Sequence, residues 1–273
     1  MKARLILLAA ILAVFSAFPK ATLAQQVAAA PTFVELARLA DKSPVVVRAK
    51  VKKTAVLKAE RAPGVGPDMA RIYVEADVIA LIRGQNGIAS TIRYLVDLPR
   101  DSRGKPPKLK KQELLLFARP DPSVVGGIQL VGPGAQLPWT ADTEQRTRSL
   151  ITAMVAPDAP PVITGIREAL HVRGNLQGEG ETQIFFSTAN NDPVSLTVLR
   201  RPGLAPQWAV SLTEIVDEAA APPPPNTLLW YRLACFLPAQ IPGSAMVSSS
   251  DSDNDLARRD YNYVRDQLGS CVR

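Results

Sequence analysis

The longest amphipathic stretch of the chain is RIYVEADVIALIR, residues 71–83. Successive side chains of an extended strand point to opposite faces, so Ile72, Val74, Ala76, Val78, Ala80 and Ile82 share one side. The other side starts polar with Tyr73, Glu75 and Asp77 and turns apolar at Ile79 and Leu81, the pattern of a strand that leaves an exposed sheet and enters a closed interior. Shorter stretches repeat the period of two. Val45, Val47, Ala49 and Val51 alternate with Arg48, Lys50 and Lys52, and Ile88, Ser90, Ile92, Tyr94, Val96 and Leu98 alternate with Thr91, Arg93 and Asp97. Asn86-Gly87, between the second and third strands, suits a turn with positive φ. Leu114, Leu115, Leu116 and Phe117 form a continuous apolar run, which predicts a strand buried on both faces. Residues 128–131 predict a short fifth strand.

Helix signals bracket these strands. Thr32 and Glu35 have the spacing of a capping box that opens a helix to about residue 40, and Pro44 stops it. Thr140 or Asp142 caps a helix to about residue 155, with Leu150, Ile151 and Met154 on one face. Five strands flanked by helices, with lengths suited to strong curvature, predict an OB-like five-stranded barrel over residues 32–155.

After the proline-rich residues 156–161, Ile184/Phe186, Val194/Leu196/Val198 and Trp208/Val210/Leu212 mark an antiparallel meander within 162–218, with a preceding strand near residues 170–172. So small a sheet needs support from the barrel or from the following helices. Residues 222–225 are consecutive prolines and form a stiff linker. In the remaining segment, 226–273, Asn226 or Thr227 caps a helix that runs through Cys235. A last helix begins near Asp251 or Asp253, places Ala257, Tyr261, Val264 and Leu268 on one face and stops at Gly269. The expected class is therefore α+β, mainly β.

The segments PVVVRAKV, VEADVIALIRG and QELLLFARP, within residues 43–119, resemble the netrin/tissue-inhibitor-of-metalloproteinases-like OB fold. The resemblance implies a small barrel in an exported protein. Inhibitory members of that family present an N-terminal cysteine to a catalytic metal, whereas here no cysteine precedes Cys235, so no inhibitory residue carries over. As a whole the chain resembles exported proteins of alphaproteobacteria, which implies a compartment and no activity.

The N-terminus agrees with export. Lys2 and Arg4, the apolar residues 5–18 and Thr22-Leu23-Ala24 read as a signal peptide, residues 1–24, cleaved after Ala24 into the periplasm or the exterior; an uncleaved anchor is the alternative. No later segment is a membrane-span candidate. Loss of Lys2, Arg4 and Lys20 lowers the formal charge from +7 (32 basic, 25 acidic) to +4 (29 minus 25). In an oxidising compartment the pair Cys235 and Cys271 predicts one disulfide, stapling the two last helices.

Motifs for catalysis are sparse. The single histidine, His171, lies between Leu170 and Val172 in an expected strand and reads first as structural or surface. Asp251, Asp253 and Asp255 start like a calcium loop, but Leu256 replaces the required glycine and Asn262 the bidentate glutamate, so these acids read as helix-capping residues. Ser102 and Lys105 match Ser-x-x-Lys inside a Gly/Pro-interrupted loop, without a Lys-Thr-Gly partner. The sequence holds no phosphate-binding loop, dinucleotide fingerprint or Gly-x-Ser-x-Gly elbow. No cofactor and no metal site are expected.

Arg48, Lys50, Lys52, Arg100, Arg103, Lys105, Lys108, Lys110 and Lys111 form one positive face if strand and loop are neighbours; the competing reading is a solvated loop with lysines guarding a strand edge. Few aromatics lie near them, so nucleic acid is a poor partner. The expected function is a non-enzymatic exported binding or assembly protein whose partner is a periplasmic protein or an anionic envelope surface. An exported protease inhibitor is the alternative, followed by a hydrolase using Ser102 with Lys105, or His171. If the basic face meets an anionic membrane, changing Lys108, Lys110 and Lys111 to Glu weakens binding to phosphatidylglycerol vesicles by about 1 kcal/mol or more per lysine, in a salt-sensitive way. Unchanged vesicle co-sedimentation removes that reading.

Overall fold

In the computed structural model, which describes residues 30–213 and 221–271, the capping box forms as its spacing requires. Thr32 Oγ1 accepts from the Glu35 N–H at 3.2 Å, and Glu35 accepts from the Thr32 N–H at 2.7 Å. Helix α1 (Phe33–Lys42) turns Val34, Leu36, Ala37 and Ala40 inward and ends at Ser43, just before Pro44. The expected signal peptide lies outside the described residues.

Five strands follow and close on themselves: β1 (Val45–Val56), β2 (Met69–Arg83), β3 (Thr91–Pro99), β4 (Glu113–Asp121) and β5 (Gly127–Leu130). The order is β1-β2-β3-β5-β4, and β4 pairs back onto β1. Every pairing is antiparallel except β3 with β5, which meet in parallel at the single position Arg93↔Gly127. This is the OB-like barrel. The β1–β2 register shifts at Val46/Val47, Arg48/Ala49 and Val51/Lys53, with the extra residue in β2 at Ile82 and Ile79 and in β1 at Lys52. Such bulges bend a strand and raise its twist, which a small barrel needs for closure. A short strand, β6 (Gln136–Pro138), pairs with β4 and has no counterpart in the sequence reading.

The same bulges alter the expected faces of residues 71–83. Ala70, Ile72, Val74 and Ala76 are buried in the barrel, but Ile79 is 45% exposed. Leu81 packs on the barrel core, and Ile82 packs on a different core. The even-numbered face thus holds only as far as Val78. The third strand begins at Thr91 rather than at residue 88, and Gly87 takes the positive φ (+72°) in the connection before it.

Strand β4 is buried on both faces. Leu114, Leu116 and Ala118 enter the barrel, while Leu115 and Phe117 enter a second core. That second core gathers α1, α2 (Ala141–Val155), α3 (Leu228–Phe236), α4 (Asp251–Leu268) and the inner face of an antiparallel meander. The meander consists of β7 (Ile163–Arg173), β8 (Gly180–Thr188), β9 (Ser195–Arg200) and β10 (Gln207–Ser211), in the order β10-β9-β8-β7. α1 lies on β4, α2 and α3 lie on α1, and α4 lies on β7 and β8, so helices separate barrel from meander. The described residues from Pro31 onward form one compact unit.

The C-terminal helices are fastened to their surroundings by specific bonds. Thr140 and Thr227 supply the N-caps of α2 and α3, and Ser250, one residue before the expected start, caps α4. Cys235 at the end of α3 and Cys271 beyond α4 form a disulfide. Trp230 Nε1 donates to Leu268 O (3.1 Å), and buried Arg232 grips both oxygens of Asp41 at the end of α1 (2.8 and 3.0 Å). Among the described residues no helix is long and apolar enough to cross a membrane.

Two stability changes follow. Phe117→Ala removes a fully buried ring from the second core and lowers unfolding free energy by about 3–5 kcal/mol in urea titrations. Replacing both cysteines by Ser costs about 3–4 kcal/mol by releasing a loop of sequence separation 36.

Candidate binding site

The outward side chains of β2 and β3 are set opposite one another by their antiparallel register: Arg71↔Asp97, Tyr73↔Leu95 and Glu75↔Arg93. Arg71 donates to both oxygens of Asp97, at 2.8 and 2.7 Å. That hydrogen bonding lowers the Asp97 carboxyl and raises the Arg71 guanidinium from their ordinary values. Tyr73 and Leu95 stand between the two charged pairs, and Ala55 of β1 extends the row from the far side of Tyr73. The result is an apolar stripe across an otherwise charged face.

Loops raise banks on this face. The β1–β2 connection contributes Leu57, Lys58 and Arg61, and the β4–β5 connection contributes Val124 beside Asp121. The second bank is fastened to β3: the Arg93 N–H donates to Gly126 O (2.9 Å), and Arg93 Nη1 donates to Val125 O (2.7 Å). Only glycine suits position 126, where φ is +68° and a Cβ would sit 2.6 Å from Thr91 O.

Beyond this fastening β3 and β5 separate, and a groove of about 1550 Å³ runs between them. Tyr94, Val96, Ile128 and Ala135 line it from the barrel side. The Tyr94 hydroxyl donates to Gln136 Oε1 at 2.7 Å, and burial raises its pKa. Val56, Leu95 and Val124, which also line it, are each 44–48% exposed. Strands β2 and β3 with the β1–β2 and β4–β5 loops are the surface on which OB folds hold oligomeric ligands.

The expected basic residues fall in different surroundings. Arg48 sits over the Trp139 ring (3.6 Å to its centre) and pairs with Glu113 (2.6 Å) and Glu144 (3.5 Å). Burial pulls the Glu144 carboxyl upward, but hydrogen bonds from Trp139 and Arg148 and the nearby guanidinium charges outweigh it and leave it below the ordinary range. Lys52 pairs with Asp77 at 3.5 Å. Arg100 donates to Met69 O and Gly104 O, and Arg103 pairs with Asp101, beside the start of β2. Lys105 is exposed in the same turn, its N–H bonded to Asp101. Lys111 reaches the other part of β1, where its N–H donates to Val51 O at 2.9 Å. Lys50, Lys108, Lys110 and Lys111 are exposed and have no ion pair among the described residues.

Ser102 and His171 lie apart, one in the exposed β3–β4 turn and the other in β7, and no hydrogen bond joins Ser102 to Lys105 among the described residues. His171 is buried under α4. Thr182 Oγ1 donates to Asp260 Oδ2 (2.5 Å), so the His171 Nδ1–H donates to Thr182 Oγ1 (2.8 Å). Arg200 donates to Asp260 Oδ1 (2.6 Å), and Arg173 donates to Asp253 (2.6 Å) nearby. The threonine proton is committed to a carboxylate with 0% exposure, which makes this cluster a latch between meander and helix. Among the described residues no group of three His, Cys, Asp or Glu side chains is placed to hold a metal ion. No family model and no curated protein matches the chain.

The groove escaped the sequence reading although one signal was present. Leu95 is an apolar residue at an outward position of the third strand, opposite the outward Tyr73.

Burial holds the His171 imidazole below its ordinary value of 6.5, against the pull of Asp260 and Asp253, with Arg200 and Arg173 opposing them. As pH falls through about 6.5, the unfolded chain takes up a proton that the folded chain resists, so stability declines. His171→Gln flattens that part of the stability–pH curve, measured by urea midpoints at successive pH values; an unchanged slope argues against the latch as its source.

Proposed function

We propose that this chain is a non-enzymatic binding or assembly protein, exported to the periplasm or beyond by residues 1–24 and cleaved near Ala24, and that it meets its partner on the outer face of the barrel. The observation that carries the reading is the groove of about 1550 Å³, floored by an apolar stripe and banked by two loops. A structural face of a small barrel has no need of exposed Leu95 and Val124 side by side with Tyr73, whereas a binding face gains from apolar area flanked by oriented charges. The disulfide supports an oxidising destination. The hydrolase reading lacks comparable support, because no hydrogen bond joins Ser102 to Lys105 among the described residues and the hydroxyl beside His171 is occupied.

The partner is a periplasmic polypeptide or an anionic envelope component. Photo-crosslinking in cells that export the chain tests the surface. Benzoylphenylalanine at Leu95 or Tyr73 captures a partner, and the same probe at Val172, 58% exposed on the meander, does not. Equal labelling at the three positions, or none at Leu95 and Tyr73, rejects the groove as the site.

A further inference from the structure

We infer that the opening between β3 and β5 accepts an extended, acidic segment of a partner polypeptide as an added strand. The inference rests on the binding face proposed above and specifies what fills it.

The first ground is the unpaired edge of β3. In a strand, alternate residues direct their N–H and C=O groups to the same side. The Arg93 N–H donates to Gly126 O on the β5 side (2.9 Å), so the backbone groups of Leu95 and Asp97 point that way too. Arg100, of the opposite parity, donates its N–H to Asp68 O on the β2 side (2.8 Å), as this alternation requires. Yet β5 pairs with β3 only at Arg93↔Gly127. No described strand meets Leu95 or Asp97 on that side, and Pro99, which has no N–H, terminates the edge. Donors and acceptors repeating every second residue, roughly 6.6–6.8 Å apart, are matched by another extended backbone.

The second ground is charge. The groove is lined by Lys58, Arg61, Arg71 and Arg93 against Asp97 and Asp121, a balance of four minus two, or +2. Both carboxylates are occupied: Asp97 by Arg71, and Asp121 by the hydroxyl and N–H of Ser123 (2.6 and 3.0 Å). Lys58 and Arg61 have no carboxylate partner among the described residues. A segment alternating apolar and acidic residues therefore turns its apolar side chains to the barrel side, onto Tyr94, Val96 and Ile128, and its carboxylates to the outer face, where Lys58 and Arg61 stand in the bank. A second copy of the chain fits poorly, because two-fold pairing of one β3 edge with another brings the same positive banks together.

The test uses labelled peptides on the full mature protein, read by fluorescence anisotropy: acetyl-Val-Glu-Val-Glu-Val-Glu-amide, its Val-Lys counterpart, and forms of the first N-methylated on one or the other set of alternate amides. The Val-Glu peptide is expected to bind about tenfold or more tightly than Val-Lys, and methylation in at least one set to cost about tenfold, the effect of one or two lost backbone hydrogen bonds. Leu95→Pro, which deletes the edge N–H without touching the β2 ladder, binds about tenfold or more weakly than Leu95→Ala, which loses the same side chain but keeps the N–H; unfolding midpoints confirm that both fold. If Leu95→Pro does not fold, the methylated peptides decide on the unaltered protein. Equal binding of Val-Glu and Val-Lys, indifference to both methylation sets, or no Val-Glu binding overturns the inference, as does a captured partner that is a second copy or not a polypeptide. Crosslinks at Leu95 that persist without peptide binding leave the proposed binding face standing and remove only the added strand. Loss of both removes both.

Discussion

The structure depends on one strand, β4, having no solvent face from Leu114 to Ala118. β4 closes the barrel through β1 and β5 while its alternate side chains, Leu115 and Phe117, found the second core against which α1 and the other helices pack. Each such side chain contributes about 1.5–3 kcal/mol by leaving water. Barrel and helical layer therefore share a wall, and neither can shift without exposing apolar surface of the other. That sharing places the meander in the same compact unit as the barrel.

The same wall limits where a partner can be met. With Leu114–Ala118 of β4 covered, the side formed by β2, β3 and the β1–β2 and β4–β5 connections stays open, as does the basic β3–β4 connection. β5 is short because, after the tight approach at Gly126 and Gly127, it follows β4 and not β3. The opening beside β3 is thus a consequence of closing a five-stranded barrel with one strand committed to a second core.

Charge inside the molecule follows a consistent rule: where it is buried it is paired. Arg232 with Asp41 ties α3 to α1, Arg200 with Asp260 ties the meander to α4, and Arg48 between Trp139, Glu113 and Glu144 ties β1 to the start of α2. These pairs join elements distant in sequence, so they specify how layers sit on each other more than they add stability. Arg48 illustrates the difference between a charge pattern and a charge surface, since its alternation with Lys50 and Lys52 is real but its guanidinium is withdrawn into a cage.

Local signals read along the chain determined the elements. The capping box at Thr32, the period of two through β1, β2 and β3, the apolar run of β4, the caps at Thr140 and Thr227 and the cysteine pair each express a short-range rule of backbone geometry or burial. Residues 71–83 were legible as a strand for that reason, but their change of character at Ile79 does not mark entry into a closed interior: Ala70, Ile72, Val74 and Ala76 hold the barrel core and Ile79 is 45% exposed. Which face each residue took beyond that point, and where β3 and β5 part, was decided only by the tertiary structure. Bulges between β1 and β2 and the competition between two cores for Leu81 and Ile82 involve residues far apart in sequence, and no local period encodes them. The same holds for the site: Tyr73, Leu95 and Val124 are three unremarkable positions in three separate stretches, and only barrel closure makes them one surface.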